Sequence, residues 1–101
     1  MAMQDTALSR DQLGDMAEMF RLLADPSRLS IVLTVAAAPK SVTAVADSTG
    51  LSQSLVSHHL RLLRSARIVR AQRQGRVMEY SLADACVSQL LAIMVHHVRE
   101  G

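Results

Sequence analysis

Apolar positions recur along the chain at the three-to-four spacing of helices, then at the two-residue spacing of strands, then at helical spacing again. Leu13, Met16, Ala17, Phe20, Leu23 and Ala24 predict a first helix over about residues 9–24. Asp25-Pro26 reads as an N-cap followed by proline at the first helical position. It opens a second helix over about 26–37, with Leu29, Val32, Leu33 and Ala36 turned inward and Pro39 ending it. Thr43 is the expected cap of a short helix over 44–48, which Gly50 closes in a left-handed turn. Ser52 then caps a helix over about 53–65, with Leu55, Val56, Leu60 and Leu63 as its core face. Residues 68–72 and 77–82 carry the strand pattern, and Arg73-Gln74-Gly75-Arg76 supplies the turn between them. Asp84 opens a last helix running to about Arg99.

A short helix, a glycine turn and a serine-capped helix with a polar face make a helix-turn-helix, here residues 41–65. The hairpin at 68–82 directly after it makes the winged version, so the expected fold is mainly α with a β-hairpin wing. The whole chain, 1–101, reads as one such domain, with 1–8 flexible and 84–99 forming the terminal helix.

Charge sharpens this picture. The net charge is only +2, but residues 48–78 contain six arginines and no acid, while the segments on either side are each net negative by two. Such a block suits a local polyanion surface, and arginine's planar fork suits phosphate and groove contacts. Gln53, Ser54, Ser57 and His58 sit near the start of the second helix of the motif, where small polar side chains reach base edges. Arg61 and Arg64 lie further along and suit phosphates, and Arg73 and Arg76 at the hairpin tip suit a neighbouring minor groove or backbone. Double-stranded DNA is the expected partner. Only Phe20 and Tyr80 are aromatic, which argues against a stacking platform for single strands.

Other classes recede. No apolar run approaches the roughly 18 residues of a membrane span, and the first residues lack the pattern of a secretory signal, so a cytoplasmic protein without membrane contact is expected. The single cysteine, Cys86, rules out an intrachain disulfide. Ser, His and Asp occur, but nothing places them around a pocket, so an enzyme is not expected.

The stretch Leu51-Ser52-Gln53-Ser54-Leu55-Val56-Ser57-His58-His59-Leu60-Arg61-Leu62-Leu63-Arg64 resembles the recognition helix of the ArsR/SmtB winged-helix repressors. Leu23-Ala24-Asp25-Pro26-Ser27-Arg28-Leu29 upstream and Arg73 to Leu82 in the hairpin match that family too, so the resemblance spans about residues 13–100. It implies a homodimer, bound to an imperfect inverted repeat in its operator and released by a ligand, usually a metal ion.

The last helix offers a candidate site for such an ion. Cys86, Leu90, Ile93, His97 and Glu100 follow steps of four and three and line one stripe. Cys86 and His97 are separated by about 16 Å along the axis, too far for one ion bound at about 2.0–2.3 Å from each ligand. A shared ion therefore needs two chains. Antiparallel pairing about a two-fold near residues 91–92 sets Cys86 of one copy against His97 of the other. Asp84 and Glu100 complete two equivalent four-ligand sites. The arrangement resembles the interfacial site of the zinc-, cobalt- and nickel-sensing branch, with Asp84, His97 and Glu100 fitting its pattern and Cys86 in place of the usual histidine. One thiolate, one imidazole and two carboxylates put Zn²⁺ first, with Cd²⁺, Co²⁺ or Ni²⁺ as alternatives. His96 lies about 100° around the helix from His97 and is not a primary ligand in this reading.

Two rivals stand beside the metal-responsive repressor. One keeps the fold and lets Cys86 respond to oxidation, or has no small ligand at all. The other is a protein-interaction module without specific DNA binding, which predicts no salt-dependent duplex affinity.

Overall fold

The structure is a computed structural model that describes residues 6–101. Of the expected flexible segment, residues 1–5 lie outside the described residues, and 6–8 carry no regular secondary structure. The elements run α1 (Arg10–Leu23), α2 (Pro26–Ala37), α3 (Val42–Thr49), α4 (Gln53–Ser65), β1 (Val69–Gln74), β2 (Val77–Leu82) and α5 (Ala85–Glu100). The mainly α fold with a hairpin wing is therefore as the sequence predicts.

Each helix start has a local cause. Ser9 and Gln12 form a reciprocal capping box on α1, with bonds of 3.1 and 3.0 Å. Asp25 accepts from the Arg28 amide at 2.9 Å, with Pro26 at the first helical position of α2. Ser52 accepts from the Leu55 amide at 3.1 Å, as expected for α4. At α3 the cap is Ser41 rather than Thr43. The helix starts earlier than the apolar spacing suggested, because the serine two residues upstream already satisfies the Ala44 amide.

Two turns fix the position of α4 and the wing. Gly50 takes φ 77° and ends α3, the left-handed corner of the helix-turn-helix. Arg67 takes φ 61°, and the bonds Arg67 N–H to Arg64 O and Ile68 N–H to Leu63 O close α4 in a Schellman motif. The chain then enters β1, which pairs antiparallel with β2 from Val69 opposite Leu82 to Gln74 opposite Val77. Gly75 and Arg76 form the two-residue loop, and Gly75 carries the positive φ of 64°. Lys40, between α2 and α3, pairs through its backbone with Tyr80 at 3.0 and 2.8 Å. This bond pair ties the wing stem to the helices.

The core gathers Ile31, Val32 and Val35 of α2, Val45 of α3, and Val56, Leu60 and Leu63 of α4 beneath Ile68 and Val69. Burying each such side chain contributes about 1.5–3 kcal/mol. Several expected inward residues do not join it. On α2, Leu33 and Ala36 are exposed while Ile31 and Val35 are buried, and on α4 Leu55 is exposed. In both helices the apolar stripe is wider than the face a neighbour covers, so the spacing alone leaves the buried centre open by about one residue. The terminal helices depart further. Within this set α1 contributes only Leu22 and α5 only Val87 and Leu91. Leu13, Met16 and Phe20 of α1, which recur at helical spacing, are exposed, as are Leu90, Ile93, Met94 and Val98 of α5.

Candidate nucleic-acid interface and candidate metal centre

Burial divides α4 into two faces. Val56, His59, Leu60 and Leu63 are buried, which turns Gln53, Ser54, His58, Arg61 and Arg64 outward into solvent, with Ser57 half-buried at the margin. The amide end of α4 and its small polar side chains thus lie together at one end of the exposed face, with the two arginines along it. In the wing, Arg73 and Arg76 are exposed beside the loop. Arg70 differs from them, because its Nε donates to Ser81 Oγ across the hairpin at 3.2 Å and so holds the side chain to the wing stem. All eight residues expected to meet DNA lie on α4 or at the wing tip, and none is in the buried core.

The acidic end of the chain is a separate surface. Asp84 caps α5, its Oδ1 accepting from the Val87 amide at 3.0 Å. Asp84 and Cys86 line one shallow cleft with Asp15 and Glu18 of α1 and Arg67. Cys86 is exposed and free. His97 and Glu100 stand at the far end of α5, also exposed. Glu100 faces His96, with Oε1 4.0 Å from Nδ1. The fold therefore brings Asp84 close to Cys86 but leaves His97 and Glu100 apart from them. Among the described residues, no three His, Cys, Asp or Glu side chains cluster within one chain to hold an ion. The donors nevertheless fit a shared ion in chemistry and in accessibility. A thiol, an imidazole and carboxylates lie open on a helix whose intervening Leu90 and Ile93 are also uncovered, Ile93 by 65%.

Two residues escaped the sequence reading. His59 points inward from α4 and is only 8% exposed, and its Nδ1 is buried without a hydrogen-bond partner among the described residues. Burial, and next the neighbouring Arg28 charge, pushes its pKa below the ordinary histidine value. Its place three residues after Val56 and four before Leu63 marked the buried face. Arg67 holds a left-handed conformation where glycine is usual, and no residue pattern signalled that.

Comparison with known proteins agrees with this geometry. Residues 25–71 match the family model described as bacterial regulatory protein, arsR family. The chain is 43% identical over 98 residues to the transcriptional repressor SmtB homolog of Synechocystis, covering 97% of this chain and 74% of that protein. It is 33% identical over 94 residues to a cadmium resistance transcriptional regulatory protein, the CadC homolog of Staphylococcus aureus, covering 92% and 78%. Its structure resembles a homodimeric winged helix-turn-helix DNA-binding domain from Mycobacterium bovis, a possible ArsR-family regulator. The TM-score is 0.84 at 28% identity, covering 95% of this chain and 92% of that one.

Proposed function

Because the chain belongs to the ArsR family of bacterial regulatory proteins, we propose that it is a metal-responsive transcriptional repressor, a homodimer that holds operator DNA when metal-free and releases it when an ion binds between its α5 helices. The observation that carries this reading is the separation of two surfaces: an acid-free arginine face on α4 and the wing tip, and an open thiol, imidazole and carboxylate stripe on α5.

The DNA side follows from the exposed face of α4. Gln53, Ser54, Ser57 and His58 offer hydrogen bonds to base edges, while Arg61, Arg64, Arg73 and Arg76 hold phosphates and set the register. A two-fold dimer presents two copies of α4 to an inverted repeat, with half-sites one helical turn apart, about 34 Å. The uncovered apolar faces of α1 and α5 supply the dimer contact.

Asp84 and Cys86 of one protomer, with His97 and Glu100 of its partner, would hold the ion, and zinc suits that donor set best. Bound there, the ion supplies a cross-link between the two α5 helices. The α5 helices then fix the spacing of the two α4 helices at a value that does not match successive major grooves. The coupling free energy equals the difference in ion affinity between the free and DNA-bound dimers. A repressor acts where the chromosome lies, so the reading places it in the cytoplasm; among the described residues no helix is long and apolar enough to cross a membrane.

The test uses a duplex selected from a random pool by the metal-free protein. Titration with Zn²⁺, Cd²⁺, Co²⁺ and Ni²⁺, read by fluorescence anisotropy, should release it. The double variant Cys86→Ser, His97→Ala should bind the duplex as before and lose that release. Zinc release of the double variant at unchanged potency sinks the site assignment. The exposure of Cys86 favours one second reading, response to thiol oxidation. Release by peroxide in the presence of a chelator, abolished by Cys86→Ser, distinguishes it.

A further inference from the structure

His59 is the one polar residue on the buried face of α4. It lies on the buried side with Val56, Leu60 and Leu63, and its Nδ1 has no hydrogen-bond partner among the described residues. A neutral imidazole tolerates that place, because Nε2 can carry the proton and Nδ1 the lone pair. An imidazolium does not, since Nδ1 would then be a buried cationic donor with no acceptor. Nearby charge does not rescue it. Arg28 of α2 and His58 of α4 oppose a positive ring, and Asp25, the α2 N-cap, favours one. The Asp25 carboxylate already accepts from the Arg28 amide as the α2 cap. Arg28 itself donates through Nε to Leu22 O at 2.9 Å. From α3 and β1, which also pack on α4, the charged residues Asp47, Arg70 and Arg73 are exposed.

We infer that His59 is a positioning residue whose neutral imidazole seats α4 against α2, so that acidification loosens the recognition helix and weakens DNA binding. The folded-state value is lowered, so the unfolded chain takes up its proton first as pH falls. The stability this group contributes is complete above the ordinary histidine value near 6.5. It is lost as pH falls below that value towards the folded one. At pH 5.5 the loss in folding equilibrium constant reaches at most about tenfold per chain. The effect on DNA rests on α4 being the DNA-reading helix; the effect on folding does not.

Three measurements on the full chain test this. NMR titration of the unaltered protein should show the His59 ring neutral to a pH below 6.5. Titration at or above that value overturns the inference without any variant. Denaturant unfolding at pH 7.5 and 5.5 should show a smaller acid loss for His59→Gln and His59→Phe than for the unaltered chain, and an equal loss overturns it. Duplex affinity at the two pH values is compared in a His58→Gln background, which leaves His59 as the only imidazole on α4. The acid fall should be larger with His59 present than after His59→Gln or His59→Phe. An equal fall overturns the link to DNA. Absence of duplex binding at every pH instead refutes the role of α4, while the first two measurements still decide the folding role of His59.

Discussion

Ile93 gives the sharpest test of the dimer, because it is 65% exposed in the chain and close to the expected two-fold. Ile93→Ala removes three carbons, worth about 2.4 kcal/mol when fully transferred from water. About a third of that transfer is already realised within the chain, which leaves about 1.6 kcal/mol for a partner to supply. Each dimer contains two copies, so the substitution should weaken association by about 3 kcal/mol, or roughly 200-fold in dimer Kd. A cavity left in a rigid interface adds to this. Sedimentation equilibrium over a wide concentration range reads the Kd directly. Far-UV circular dichroism should show the helices intact, since Ile93 is no part of the buried core. Leu91→Ala provides the contrast: Leu91 is 6% exposed within the chain, so its truncation should cost fold stability, about 2–5 kcal/mol. A dimer Kd for Ile93→Ala within threefold of the unaltered value would refute the assignment of this face to self-association.

Three further outcomes follow from the same geometry. Asp84→Asn keeps a side-chain oxygen for the Val87 amide but removes the carboxylate, so stability should change little while zinc affinity falls. Asp84→Ala should in addition lose about 0.5–2 kcal/mol of stability, read by urea unfolding. Arg67→Gly relieves a left-handed residue worth about 1–2 kcal/mol, partly offset by about 0.5–1 kcal/mol of added freedom in the unfolded chain, so the Tm should rise by a few degrees; a fall contradicts the strain. Arg61→Ala should reduce the slope of log affinity against log salt by about one, evenly across duplex sequences; a loss confined to one base position would make Arg61 a base reader instead.

What the sequence determined by itself was local and periodic. The helix starts at Ser9, Asp25 and Ser52 and the corner at Gly50 are short-range bonds and backbone preferences, settled within a few residues. The polar row of α4 and the arginine block needed only the helical repeat and a count of charges. Tertiary structure decided what covers what. Leu13, Phe20 and Ile93 have the spacing of core residues, yet they are uncovered, because a helix pattern records that a face is apolar and not which neighbour buries it. The helical repeat puts His59 on the buried face of α4 between Val56 and Leu63, but only the tertiary structure shows that its Nδ1 finds no partner there among the described residues. For the proposed metal donors, helical repeat alone separated Cys86 from His97 by about 16 Å. The fold showed the Asp84 cap bond to the Val87 amide, where the sequence had already placed Asp84 at the helix start, and added that Glu100 faces His96. Completing the proposed site would take the surface of a second copy, because two ends of one straight helix cannot meet.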